Sequence, residues 1–245
     1  MASGRSWRCR ARQGLLVALA LVTLTQMHRA DAFPPPSYSA KDIRATVVNE
    51  ETGEPLEGVV VVALWELRQV SARPRIHITE AVTDAQGQFH IPGWGPKVRP
   101  PLAELAHRSP LLVLFKPGFV PLRLHTEARA RVEQFAPNYR TMPTKKLRET
   151  ISWYRGSPKD AVQDCIWDGL TLQMEPYRGT SELWLGYLQG ITDTVRYEEA
   201  KATMTLHRRL LDEQARYARE VNQSLAQRAR GFFTDVETRL REASR

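Results

Sequence analysis

Cysteine is nearly absent from this sequence: among 245 residues the thiols are Cys9 and Cys165. Cys9 lies in a segment that reads as a leader, so Cys165 is left alone and an intramolecular disulfide is excluded. A lone thiol of this kind reads as a small buried hydrophobe. Catalytic signatures are also missing. The chain has no G-x-S-x-G elbow, no Walker or dinucleotide glycine pattern and no histidine pair at H-x-x-x-H spacing. The usual sequence grounds for a serine hydrolase, a nucleotide enzyme or a zinc hydrolase are therefore lacking, and neither a cofactor nor a metal is expected. Past residue 32 no segment approaches the ~20 apolar residues of a spanning helix, so no membrane span is expected in the mature chain.

The first 32 residues have the three parts of an export signal. Arg5, Arg8, Arg10 and Arg12 precede an apolar run, Leu15 to Leu24, and Ala30-Asp31-Ala32 offers small residues for cleavage. The run is about ten residues, too short for an anchor helix. Export to a periplasmic or secreted location is the expectation. Removing the leader takes away five Arg and one Asp, so the net charge falls from +8 to +4. Nucleic-acid binding thereby loses most of its compositional support.

Residues 33–41 read as a Pro-rich tether, since Pro34-Pro35-Pro36 favours extended polyproline geometry. From 42 to 125 the pattern is β. Strands are expected at Ile43 to Val48 and within Leu56 to Leu67. In the second of these the run Val59 to Trp65 is apolar on both alternations and so is covered on both faces. Ile76 to Ile91 reads as a hairpin around Asp84 to Gly87. Pro92 to Pro110 reads as a long loop, and Leu111 to Phe115 and Val120 to Leu124 as two further strands. Residues 126–245 read as mixed and mostly helical. Between Arg196 and Arg230 there is no Pro or Gly, and Tyr197, Met204, Leu211, Ala218, Leu225 and Phe232 recur every seven residues. One long amphipathic helix is expected there, packed on the protein's own sheets.

The turns carry a family likeness. Thr52-Gly53-Glu54-Pro55-Leu56-Glu57-Gly58-Val59-Val60-Val61 and Thr83-Asp84-Ala85-Gln86-Gly87-Gln88-Phe89-His90-Ile91, followed by Lys116-Pro117-Gly118-Phe119, resemble the carboxypeptidase regulatory-like domains over roughly 80 residues. Gly53, Pro55, Gly58, Asp84, Gly87, Phe89 and Gly118 are the fold-defining positions, and the resemblance extends to uncharacterised exported bacterial proteins. It implies an α+β protein whose N-terminal part is a seven-stranded antiparallel β-sandwich of transthyretin type. It also implies a non-catalytic binding or scaffolding role beside a cell-envelope protein or polymer.

Two alternatives stand beside this reading, of which the first is an enzyme, either of the hydrolase type that follows or an unrecognised one in the C-terminal half. The transthyretin-like 5-hydroxyisourate hydrolases end in a Tyr-Arg-Gly-Ser tetrapeptide, which this chain has at Tyr154 to Ser157. Thr46, however, stands where that family has a first-strand histidine, and a threonine is no general base near neutral pH. The other alternative is a structural oligomer held by the long helix. For a binding surface the candidates are Trp94, Trp153 and Trp184, because Trp is over-used at interfaces, and Arg73 and Arg75, which form part of a basic loop suited to an anionic polymer. His77 and His90 read as exposed strand residues that the hairpin would allow to stand face to face. Asp164 and Asp168 read as solvated surface charges.

Overall fold

The computed structural model describes residues 37–69, 74–106, 110–126, 132–134, 136–151, 162–196, 199–217, 238 and 241–242. The leader with Ala30 and Ala32, Arg73, Trp153, the Tyr154 to Ser157 tetrapeptide and the helical stripe beyond Tyr217 lie outside the described residues. The architecture is mixed α+β, with most strand pairs antiparallel. In chain order the strands are β1 (Ser37–Ala40), β2 (Ile43–Asn49), β3 (Val60–Arg68), β4 (Arg75–Val82), β5 (Gln88–Ile91) and β6 (Trp94–Val98). They continue with β7 (Glu104–Leu105), β8 (Leu111–Phe115), β9 (Leu122–Leu124), β10 (Val162–Gln163) and β11 (Thr171–Met174). The α-helices are α1 (Thr144–Ile151), α2 (Ser181–Thr194) and α3 (Met204–Tyr217).

Alternation decides which side chains meet. In β2, Ile43, Ala45 and Val47 are buried, while Arg44, Thr46 and Val48 between them point the other way. Phe89 and Ile91 of β5 and Leu172 and Met174 of β11 join the same inward set. Opposite them stand Val59 and, along β3, Val61, Ala63, Trp65 and Leu67, with Leu112 and Leu114 of β8. One core thus lies between the β11-β2-β5 sheet and the β4-β3-β8-β9 sheet. The remaining positions of the central strands, Val60, Val62 and Leu64 with Leu111, Val113 and Phe115, face a second core. It is closed by Trp184, Leu188 and Ile191 of α2 and Leu206 and Leu210 of α3. The doubly apolar run is therefore covered on both faces, and each large aliphatic side chain in it contributes about 1.5–3 kcal/mol of burial.

The hairpin expected at 76–91 does not form. β4 pairs with β3, and β5 pairs with β2 in the other sheet. Two side chains cause the crossing. The Thr83 hydroxyl accepts from Val59 N and donates to Leu56 O, which pins the end of β4 to the start of β3. Asp84 Oδ1 then accepts from Gln86 N and Gln88 N, turning the chain so sharply that Gly87 comes against β2. A Cβ on Gly87 would sit 2.4 Å from Val47 O. His77 and His90 consequently stand on different sheets rather than face to face.

Three further expectations are corrected. The tether ends earlier than Lys41, because Ser37–Ala40 pairs with β6 and buries Tyr38. The 92–110 loop contains β6 and β7, both stabilised by partners distant in sequence. Beyond residue 125 the chain returns to these sheets, since β11 runs parallel beside β2, from Thr171↔Thr46 to Met174↔Asn49. Finally, α3 begins at Met204 rather than near Arg196, and a separate α2 precedes it. Its buried face is Leu206, His207, Leu210, Glu213 and Gln214. Met204 and Leu211 of the expected stripe only flank it. Polar members of this face, His207, Glu213 and Gln214, interrupt its apolar recurrence.

Candidate functional site

Two regions bring chemistry-bearing side chains together. The first is the outward face of the β11-β2-β5 sheet. There Arg44, Thr46, Gln88, His90 and Thr171 line an open cleft of ≈ 520 Å³ with Asp84 and Gly169 at its margins. Register explains the grouping, because Arg44 pairs with His90, and Thr46 pairs with Gln88 on one side and Thr171 on the other. Asp42 organises the end of the face. It accepts from Gly93 N at 2.9 Å, contacts His90 Nε2 at 2.9 Å and lies 3.3 Å from Arg44 Nη2. The Gly93 N–H, then the His90 ring, hold its carboxyl below the usual range. Asp168 Oδ1 accepts from Arg44 N, and Asp164 lies 3.6 Å from Lys41, so both have specific partners.

Among the described residues, none of the binding candidates Trp94, Arg75 and Trp184 lines this cleft. Its members are outward strand positions, and alternation along β2 and β5 was the signal available for them. Thr46, the position that bears on the hydrolase alternative, does lie in it.

The second region is aromatic. Trp65 on β3, His77 on β4 and Trp94 on β6 meet with ring centroids 5.3–5.5 Å apart, and the two indoles lie edge to face. Lys97 Nζ is 5.3 Å from the Trp94 ring and donates to His77 Nδ1 at 2.8 Å. Trp94 is 9% exposed and Trp65 fully buried. Trp94 therefore offers no open ring to a ligand in this structure, a correction to its expected role.

Trp184 and Arg75 are corrected more strongly. Trp184 is wholly buried in the second core, stacked against Phe115 at 6.2 Å and tilted on Tyr177 at 4.8 Å. Arg75 is no part of an exposed basic patch. Its side chain is 10% exposed and bonds Glu66 at 2.8 Å, Glu199 at 2.8 Å and Thr194 O at 2.7 Å. A β-bulge is responsible: Trp65 pairs with His77 but Glu66 pairs with Arg75, leaving Ile76 extra. The added residue reverses parity, sending Arg75 to the helices and His77 to the space between the sheets.

The turn residues have distinct local jobs. Gly53, Gly58, Gly87 and Gly118 all have φ between +71° and +81°. Pro55 bridges to Val48, and Phe89 is buried. Cys165 is buried, its thiol 3.6 Å from Thr126 Oγ1, and burial pushes its pKa up to about 12. Among the described residues no group of three His, Cys, Asp or Glu is placed to hold a metal ion, and no helix is long and apolar enough to cross a membrane.

No family model and no curated protein matches the chain. Among solved structures it is similar to the crystal structure of 3-chlorocatechol 1,2-dioxygenase from Rhodococcus opacus 1CP, with 16% identity and a TM-score of 0.24. The match covers 36% of this chain and 43% of that one, so less than half of the dioxygenase is spanned, and a likeness at this score carries no argument about fold or activity.

Proposed function

We propose that this chain is an exported, non-catalytic binding or scaffolding protein acting in the periplasm or outside the cell, built on a carboxypeptidase regulatory-like sandwich. In this reading β11-β2-β5 and β4-β3-β8-β9 are the two sheets of a seven-stranded, transthyretin-type unit. β7 pairs with β3 beside this unit, and β10-β1-β6 form a third sheet. The positive φ of Gly53, Gly58, Gly87 and Gly118 supports it, because those are the positions the family-like turns supply with glycine.

The observation that carries the binding role is the asymmetry of the two sheets. The outer face of β3 and β8 is covered by α2 and α3. The outer face of β2 and β5 instead carries the open polar cleft of Arg44, Thr46, Gln88 and His90. A polar concave face of this kind suits recognition of a cell-envelope protein or polymer. The test is in-cell crosslinking of the C-terminally tagged chain, beside an Arg44→Ala/His90→Ala double variant. The expected result is a leader-processed band joined to one reproducible envelope partner, with the double variant losing it. Equal capture by both proteins, or no capture by the unaltered chain, overturns the reading.

A further inference from the structure

The Trp65–His77–Trp94 cluster spans the gap between the two sheets at one edge. Trp65 and His77 belong to the β4-β3-β8-β9 sheet, while Trp94 and Lys97 lie on β6, the edge strand of the β10-β1-β6 sheet. Lys97 reaches across to His77 Nδ1 at 2.8 Å and to Ile76 O at 3.4 Å. An ammonium only donates, so His77 must accept, and it does so only as the neutral ring with its proton on Nε2. Two cationic-type side chains are thus held in contact by a hydrogen bond that exists in one protonation state.

The closed edge also carries a cost. The Nε1–H groups of Trp65 and Trp94 are buried with no hydrogen-bond partner among the described residues. Each such donor carries a desolvation cost that opening to water would recover. The Lys97–His77 bond and the ring contacts oppose this. Among the described residues the charged groups around His77 leave it no compensating anion. Lys97 on β6 is the one in contact. Glu66 and Arg75, one rung along β3 and β4, are bonded to each other. On β1, Tyr38 lies opposite Lys97 in the ladder.

We propose that this edge is an acid-opened clip: protonation of His77 sets an imidazolium against the Lys97 ammonium, β6 separates from β4, and the Trp94 ring becomes an accessible aromatic surface. The direction agrees with linkage. Burial first, then Lys97, lowers the pKa of His77 below 6.5. The closed form therefore binds fewer protons than the open one, and its stability falls as pH drops through about 6.5 toward the lowered value. His207, buried against Thr203 on α3, is lowered by burial as well and would weaken the fold in the same direction. The test must separate the two histidines.

The experiment is hydrogen exchange by mass spectrometry on the mature full-length chain between pH 7.5 and pH 5, corrected for intrinsic exchange, with acrylamide quenching of Trp emission alongside. The expected result on acidification is a rise of about tenfold in opening for each pKa unit by which closure lowers His77, confined to peptides of 75–82 and 94–98. Quenching rises with it. His77→Gln should hold both readouts flat, and His207→Gln should leave the transition in place. Lys97→Met should exchange quickly at 94–98 at both pH values, because the bond is gone throughout. This third variant tests the clip even if His77→Gln fails to fold. An unaltered chain with no transition, a transition preserved in His77→Gln, or slow exchange at 94–98 in Lys97→Met overturns the proposal. None of these outcomes bears on the outer-sheet cleft.

Discussion

At the scale of single residues, Arg75 and the turn glycines show how little a side chain's class says about its job. Arg75 reads as one cation of a loop, yet it ties the sheet to the helical layer through Glu66, Glu199 and the end of α2. Replacing it with Ala strands two carboxylates that are themselves about nine-tenths buried. The expected loss is about 3–5 kcal/mol, read from urea unfolding midpoints at pH 7. Gly53 and Gly87 have nearly the same φ, +73° and +71°, but different surroundings. Nothing lies within 4 Å of a Cβ built on Gly53, whereas one on Gly87 meets Val47 O at 2.4 Å, with Leu56 N and Pro55 Cβ close behind. Gly53→Ala should therefore cost about 1 kcal/mol, the price of the left-handed region alone. Gly87→Ala should cost on the order of 3 kcal/mol, because backbone must move as well. Equal melting shifts for the two would contradict this account of the turn.

At the scale of elements, the helical layer is docked by polar groups as much as by its apolar stripe. Both carboxylate oxygens of Glu80 on β4 accept the first amides of α3, Thr205 N at 2.9 Å and Leu206 N at 3.1 Å. A strand thus caps a helix more than 120 residues away, satisfying donors that a helix start leaves open and placing negative charge at the positive end of its dipole. Glu80→Ala should cost about 1–2 kcal/mol, and Glu80→Gln, which keeps one acceptor, distinctly less. The comparison is made by thermal melts at matched pH. Equal melting temperatures for Glu80→Ala and the unaltered protein would show that the cap does not hold the layer. Such long-range ties are also why the start of α3 was misread. Absence of Pro and Gly from Arg196 onward permits a helix but does not begin one.

At the scale of the whole molecule, the decisive feature is that β3 and β8 are buried on both faces. A fragment ending at residue 125 keeps the expected strands of the N-terminal part but loses β10, β11, α1, α2 and α3. It would expose Val60, Val62, Leu64, Leu111, Val113 and Phe115, and it would leave β2 without its parallel neighbour. Such a fragment should fail to give a cooperative unfolding transition and should aggregate, whereas residues 37–245 should unfold in one step. A soluble fragment with native-like chemical shifts in β2 and β5 would show that the N-terminal sheets fold without the C-terminal half.

Strand existence was legible along most of the β region because alternation and apolar runs are local properties. β2, β3, β5 and β8 stand close to where their patterns place them, and the double burial of β3 follows from its composition. The turn glycines were legible for the same reason, as their demand is made on one backbone dihedral. Partners were not legible. That β5 leaves β4 for β2, that Ser37–Ala40 becomes a strand and that Thr171–Met174 completes a sheet begun more than 120 residues earlier are decided by which edges remain open once the central strands have paired. The outer-sheet cleft and the His77–Lys97 clip belong to this second class. Each is assembled from residues on separate strands, and in the clip one extra residue at Ile76 decides which way two neighbouring cationic side chains point. Local sequence sets the period and the turns, while the pairing of distant edges sets the faces, and chemistry in this protein resides on the faces.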